Sequence, residues 1–168
     1  MRTQDFDPDL FKKVVGRFPT GLTVVTGVRD GLPQGMTLQS FMSLSLDPAL
    51  IAIAVARTST TWPNIEAGGS FAVNVLARHH SSLARTFSLS PEKRFESVAY
   101  STSKAGNPVL DEAVTWLDCT LDNVLDGGDH IIAIGRVVEL KTHDEQDDVE
   151  PIVFYRSGFR ALTELQPA

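Results

Sequence analysis

Residues 35–50 read "GMTLQSFMSLSLDPAL". Four hydroxyl side chains (Thr37, Ser40, Ser43, Ser45) are interleaved with Met36, Leu38, Phe41, Met42, Leu44 and Leu46, and Asp47-Pro48 closes the run with a turn signal. Near-alternation of this kind predicts an extended strand. The hydroxyls are more numerous than a plain buried strand requires, and the apolar residues more than a loop would carry. The segment that follows, "ALIAIAVA" (49–56), alternates in size rather than polarity. Ile51, Ile53 and Val55 share one face, and Ala52, Ala54 and Ala56 share the other. The large face suits a core. The small face admits something close to the backbone, either a packed helix or a bound group.

Working outward, the punctuation is that of antiparallel β-structure. "LTVVTGV" and "QGMTLQSF" flank Asp30-Gly31, a hairpin turn signal. "SFAVNVLA" (70–77) is a further strand. "TWLDCTLDNVL" (115–125) alternates with Leu117, Cys119 and Leu121 inward and Asp118, Thr120 and Asp122 outward. "DGGDH" (126–130) turns the chain, "HIIAIGRVVEL" returns it, and "PIVFYRSGFRAL" ends it with one short strand and a turn. Short helices are expected at "DPDLFKKVVGRF", capped by Asp7 with Pro8 in its first turn, at "TTWPNIEAGG" and at "SSLARTF". Leu10, Phe11, Val14 and Val15 form an apolar stripe on the first of these. Residues 88–110 read as loop with short ordered pieces, and "THDEQDDVE" as an exposed acidic loop. Six or so strands with only short helices predict a closed antiparallel barrel.

The chain has 168 residues, 42% hydrophobic and 21% charged, as expected of one globular domain spanning residues 1–168. A net charge of −6 argues against a general nucleic-acid binder. The single cysteine, Cys119, excludes a disulfide framework and a multi-thiolate metal site. Nothing reads as an export signal or a membrane span, so a cytoplasmic protein is expected. The dinucleotide G-x-G-x-x-G, the phosphate-binding G-x-x-x-x-G-K-[ST] and the G-x-S-x-G elbow are all absent. Nothing local supports a Ser-His-Asp triad around Asp129 and His130. His79 and His80 are expected on different sides of their segment, and no metal site is expected.

The ordered blocks "FPTGLTVVTG", "QGMTLQSFMSLSLDPAL", "SFAVNVL", "LDGGDHIIAIGRV" and "PIVFYRSGFRAL" resemble the flavin reductase-like family from Phe11 to Leu162. The resemblance implies a six-stranded split β-barrel with a Greek-key connection and short flanking helices, acting as a homodimer. It implies reduction of FMN or FAD by NADH or NADPH, and release of reduced flavin to a partner monooxygenase. A non-catalytic flavin carrier or sensor, or a pyridoxamine-phosphate-oxidase-like enzyme on the same barrel, are the alternatives; the blocks around His130 and Tyr155 favour the reductase.

A flavin site needs a shallow apolar wall, donors at the ring edge, and donors with a cation at the phosphate. The resemblance puts Gln34, Gly35, Met36 and Thr37 at the ring edge, with Gly35 letting the backbone approach, and Gln39 and Ser40 toward the ribityl chain and phosphate. It puts Ala56, Arg57, Thr58, Ser59 and Thr60 at the phosphate, where a cation, hydroxyls and amides converge; helix capping by Thr60 or Thr61 is the other reading. It adds Phe87 and one or both of Lys93 and Arg94 near the phosphate or adenylate end; an exposed basic pair is the other reading. His130 is the catalytic candidate on the nicotinamide side, oriented by Asp129, or else a turn histidine. Tyr155, Arg156, Ser157 and Gly158 would contact the dinucleotide, or simply form a tight turn.

Overall fold

The computed structural model describes residues 7–89, 91–142 and 149–164. Helix α1 (Pro8–Val15) starts as the sequence predicts: the Asp7 carboxylate accepts from the Asp9 N–H at 3.0 Å, and Pro8 occupies the first turn. Strands β1 (Thr20–Gly21), β2 (Thr23–Arg29), β3 (Leu32–Leu38), β4 (Phe41–Leu46) and β5 (Ala49–Ala56) follow. Helix α2 (Trp62–Ala67), strand β6 (Ser70–Val75) and helix α3 (Ser81–Ser88) come next, then a 3₁₀ turn at Pro91–Lys93. A small hairpin of β7 (Tyr100–Thr102) and β8 (Pro108–Leu110) precedes the long hairpin of β9 (Thr115–Gly127) and β10 (His130–Thr142). The chain closes with β11 (Val153–Tyr155) and β12 (Gly158–Arg160), two short strands where one was expected. Arg156 and Ser157 between them have φ of 50° and 60°, the left-handed pair that a two-residue hairpin turn requires.

The main sheet is antiparallel, in the order β3-β2-β6-β9-β10-β5-β4. It has seven strands, not the expected six, because the run from Leu32 to Leu46 breaks at Gln39-Ser40 into two. β3 and β4 lie at opposite edges of this sheet, yet only those two residues join them. A link that short reaches roughly 11 Å, whereas a flat seven-stranded sheet is roughly 29 Å across. The sheet therefore rolls until its edges meet. Ser40 marks the junction: its hydroxyl donates to the Ala54 carbonyl at 2.6 Å and accepts from the Ala54 N–H at 3.0 Å, satisfying both main-chain groups of that residue.

Inside the roll, Ile51, Ile53 and Val55 of β5 meet Val25, Met36, Phe71, Val73 and Cys119. The large face of "ALIAIAVA" is thus the core face. A second cluster under α3 joins Leu22, Val24, Leu76, Phe87, Leu110 and Ile152. The alternation expected along β9 fails at Asp118, which is fully buried rather than outward. Its carboxylate accepts from Asn107 Nδ2 at 2.8 Å and from the Ala105 N–H at 3.1 Å, fastening the loop between β7 and β8 to the sheet. Most of the acidic loop lies outside the described residues; at its end Glu150 pairs with Arg78. Among the described residues no helix is long and apolar enough to cross a membrane.

On β10, Gly135 sits where β9 and β6 press closest. A Cβ there would lie 2.6 Å from the Phe71 ring and 2.9 Å from Cys119 Cβ. Gly135→Val is expected to destabilise the fold by about 1–3 kcal/mol, measured as a lowered midpoint in urea unfolding.

Candidate functional site

The small face of β5 does not carry a helix. Ala52 and Ala54 floor a cavity of about 490 Å³, flanked by Ile132 of β10 on one side of β5 and by Phe41 and Met42 of β4 on the other, with Phe18–Gly21, Gln39 and Ser40 completing its lining. This is a size that takes a small organic ligand. β10 pairs with β5 in a register that sets Ile132 opposite Ala54 and His130 opposite Ala56. Residues directly opposite in an antiparallel pair share a face. His130 therefore stands on the same face as the cavity floor, at its end. Its Nδ1 lies 2.6 Å from Asp129 Oδ1, which puts the ring proton on Nδ1 and leaves Nε2 outward; this bond holds the Asp129 carboxyl below its ordinary range.

Two further contacts fasten the segments around the cavity. β1 pairs with β11, and the Arg156 N–H donates to the Gly16 carbonyl at 3.3 Å, so the Tyr155–Gly158 turn is tied to the strand carrying Thr20 and Gly21. Thr20 Oγ1 donates to Gln39 Oε1 at 3.3 Å, joining two segments of the cavity lining.

The other predicted site residues are placed differently. The middle of β3, at Gly35 and Met36, is buried. Met36 is buried in the core, and Gly35 and Thr37 face α3. The room above Gly35 is taken by side chains: a Cβ there would lie 2.6 Å from Phe87 Cε1 and 3.1 Å from Phe95 Cζ. Phe87 is fully buried and packs in the cluster under α3. The Thr37 hydroxyl donates to the Ala84 carbonyl at 2.7 Å, and the Ser40 hydroxyl is taken up by Ala54. Gln34 accepts from Asn64 Nδ2 at 3.4 Å. Of the "GMTLQS" block, only Gln39 and Ser40 border the large cavity.

In the loop after β5, Ser59 Oγ accepts from the Thr61 and Trp62 N–H groups at 3.3 and 3.1 Å. Ser59, rather than Thr60 or Thr61, supplies the hydroxyl at the start of α2. Thr58 and Thr60 are exposed, as is Lys93. Arg94 is buried, donating Nη1 to Thr61 Oγ1 at 2.7 Å and Nε to the Leu89 carbonyl at 3.1 Å; burial lowers its pKa. With Gln34, Gly35, Pro91 and Phe95 it lines a second hollow of about 330 Å³. Arg57 binds Asp126 and the Gly128 carbonyl instead of standing free.

His79 and His80 are not on different sides. Their ring centroids are 4.2 Å apart, because residues 78–80 form a turn rather than regular structure. With Glu112 they are a group within metal-binding reach. His80 Nδ1 accepts from the Ala77 N–H at 3.0 Å, so the ring proton sits on Nε2, the atom facing Glu112 at 3.5 Å. An Nε2 that carries the proton is a hydrogen-bond donor, not a ligand.

The cavity walls at Phe18–Gly21 and Ile132 carry no functional signal of their own in the sequence. The neighbour of the alanine strand depends on sheet order, which the local pattern does not encode. The family described as flavin reductase like domain matches residues 15–163, and the chain belongs to that family. A flavin reductase of Pseudomonas putida is 40% identical over 154 residues, 91% of this chain and 89% of the relative. The crystal structure of a homologue of nitrilotriacetate monooxygenase component B from Mycobacterium thermoresistibile superposes with a TM-score of 0.90 at 34% identity, covering 95% of this chain and 90% of that one. The NADH:FAD oxidoreductase SgcE6 of Streptomyces globisporus, in complex with NAD and FAD fragments, gives 0.86 at 33%, covering 96% and 98%.

Burial lowers the His80 pKa below its ordinary 6.5, with His79 adding to the effect and Glu112 opposing it. The unfolded chain then binds the proton more readily, so stability is full above about pH 6.5 and falls as pH drops below it. His80→Gln, which keeps an acceptor for the Ala77 N–H, is expected to flatten the fall in Tm between pH 7 and 5. Thermal unfolding across that range measures it.

Proposed function

We propose that this protein is an NAD(P)H:flavin oxidoreductase that reduces FMN or FAD and supplies the reduced flavin to a partner monooxygenase. The observation that carries the reading is the register of β5 against β10, which sets a histidine at the end of a cavity floored by alanines. A flat ring system needs such a floor, because any larger residue at position 52 or 54 would lift it off the strand. Phe18, Phe41 and Ile132 suit its apolar faces, and Thr20 and Gln39 its polar edge. Bound flavin supplies the hydride acceptor, so the protein needs no nucleophile.

The chain's own residues bind, orient and exclude water. The alanine floor and aromatic walls hold the ring; the hydroxyls of Thr58 and Thr60, with Lys93, serve the phosphate. His130 presents Nε2 to the nicotinamide, with Asp129 fixing its tautomer. The Tyr155–Gly158 turn, anchored beside β1, receives the rest of the dinucleotide. Ser59, Arg94 and Thr61 shape the phosphate loop from beneath. A simple flavin carrier would have no use for the oriented His130–Asp129 pair.

The same reading treats β3 and β4 as one strand bent at Ser40, which makes the rolled sheet a six-stranded split barrel with a Greek-key crossover. It also takes the working form to be a cytoplasmic homodimer. Every residue of α1 is exposed, although Leu10, Phe11, Val14 and Val15 form an apolar stripe, and an isolated helix of eight residues is marginal in water. Met42, Leu44 and Leu46 are exposed on edge strand β4, with Val138 and Leu140 exposed on β10. A second copy covering these faces would also close the cavity from outside.

The purified protein is expected to oxidise NADH or NADPH when given FMN or FAD; no oxidation with any of the four pairs would overturn the reading. Ala54→Leu is expected to weaken flavin binding at least tenfold, by fluorescence titration, while leaving Tm near that of the wild type. His130→Ala is expected to lower turnover by about 10- to 100-fold with flavin affinity within twofold. In sedimentation the wild type should run at twice the chain mass and Leu44→Asp at the chain mass.

A further inference from the structure

We propose that Arg57 and Asp126 form a clamp that positions His130 toward the nicotinamide; this rests on the reductase reading of the site. Pairing between β10 and β5 runs from Arg136 opposite Leu50 to His130 opposite Ala56 and stops there. His130 is thus the last pair of a ladder, the place where strands fray. The tip that precedes it is not held by packing. Leu125, Asp126, Gly127, Gly128 and Asp129 are all exposed.

Arg57, one residue beyond the ladder on β5, holds that tip at three points. Its main-chain N–H donates to the Asp129 carbonyl at 3.0 Å, its Nε to the Gly128 carbonyl at 2.9 Å, and its Nη2 to Asp126 Oδ1 at 2.5 Å. Asp126 Oδ1 also accepts from the Gly128 N–H at 3.2 Å, closing the turn from within. The arginine holds the Asp126 carboxyl below its ordinary range, so the pair stays charged at neutral pH. Asp129, whose carboxylate orients the His130 ring, is itself 93% exposed. Its position follows from the turn backbone, and that backbone is what Arg57 grips. An ion pair this exposed adds little to global stability, which leaves orientation as its contribution.

Arg57 is accordingly a positioning residue acting through His130, rather than a ligand of the flavin phosphate. The test uses Arg57→Gln, Asp126→Asn, the double variant, and Arg57→Gln on a His130→Ala background. NAD(P)H oxidation is followed at saturating flavin, and Kd is measured for FMN and for riboflavin. Each single change is expected to lower kcat/KM for the nicotinamide roughly tenfold, with both Kd values within twofold. The double variant should be no worse than either single, and Arg57→Gln should cost nothing further once His130 is gone. Multiplicative losses, or a loss that persists without His130, would overturn the clamp. So would an FMN Kd raised tenfold with riboflavin unchanged, because Arg57 would then be holding phosphate. Full turnover by His130→Ala would instead overturn the role of His130. The clamp's grip would then be read separately, as faster amide exchange across residues 126–130 in Arg57→Gln.

Discussion

A two-residue link between opposite edges of a seven-stranded sheet is the constraint on which the rest depends. Gln39 and Ser40 cannot reach across a flat sheet, so the sheet rolls, and the roll divides the residues of β5 between two environments. Ile51, Ile53 and Val55 turn into the core, while Ala52 and Ala54 look out onto the cavity. Ser40 sits where this decision is made. Its hydroxyl satisfies both main-chain groups of Ala54, so the junction and the cavity floor are joined by the same pair of hydrogen bonds.

From that floor the site builds outward through backbone register. β10 aligns His130 with Ala56, β1 brings Phe18–Gly21 over the opposite side, and β11 ties the Tyr155–Gly158 turn to β1. Few side chains in this arrangement are chemically reactive, which fits a reaction whose hard step belongs to a bound cofactor. The lone cysteine illustrates the point. Burial pushes the Cys119 thiol up to about 12, and it is simply part of the core.

The size alternation in "ALIAIAVA" was enough to separate the core face from an accommodating face, and the hairpin signals at Asp30-Gly31 and 126–130 placed the turns. Local pattern could not tell whether a helix or a ligand faces the alanines, because that depends on the rolled topology. Nor could it show what covers β3. Gly35 looks like an opening in sequence, but Phe87, fifty-two positions later, fills it. Asp118 reads as outward by alternation and is buried because a loop thirteen residues earlier supplies its donors. The hydroxyls that opened the reading divide differently from the expectation. Thr37 is committed to the Ala84 carbonyl of α3, and Ser40 to Ala54, where it fixes the bend between β3 and β4.

The most direct test of this account is a crystal structure of the protein soaked with FMN. The account predicts the flavin ring across Ala52 and Ala54, between Phe18 and Ile132, with the face nearest His130 open to a nicotinamide. A ring bound instead in the hollow beside Gln34, Arg94 and Phe95, with the alanine floor empty, would contradict it.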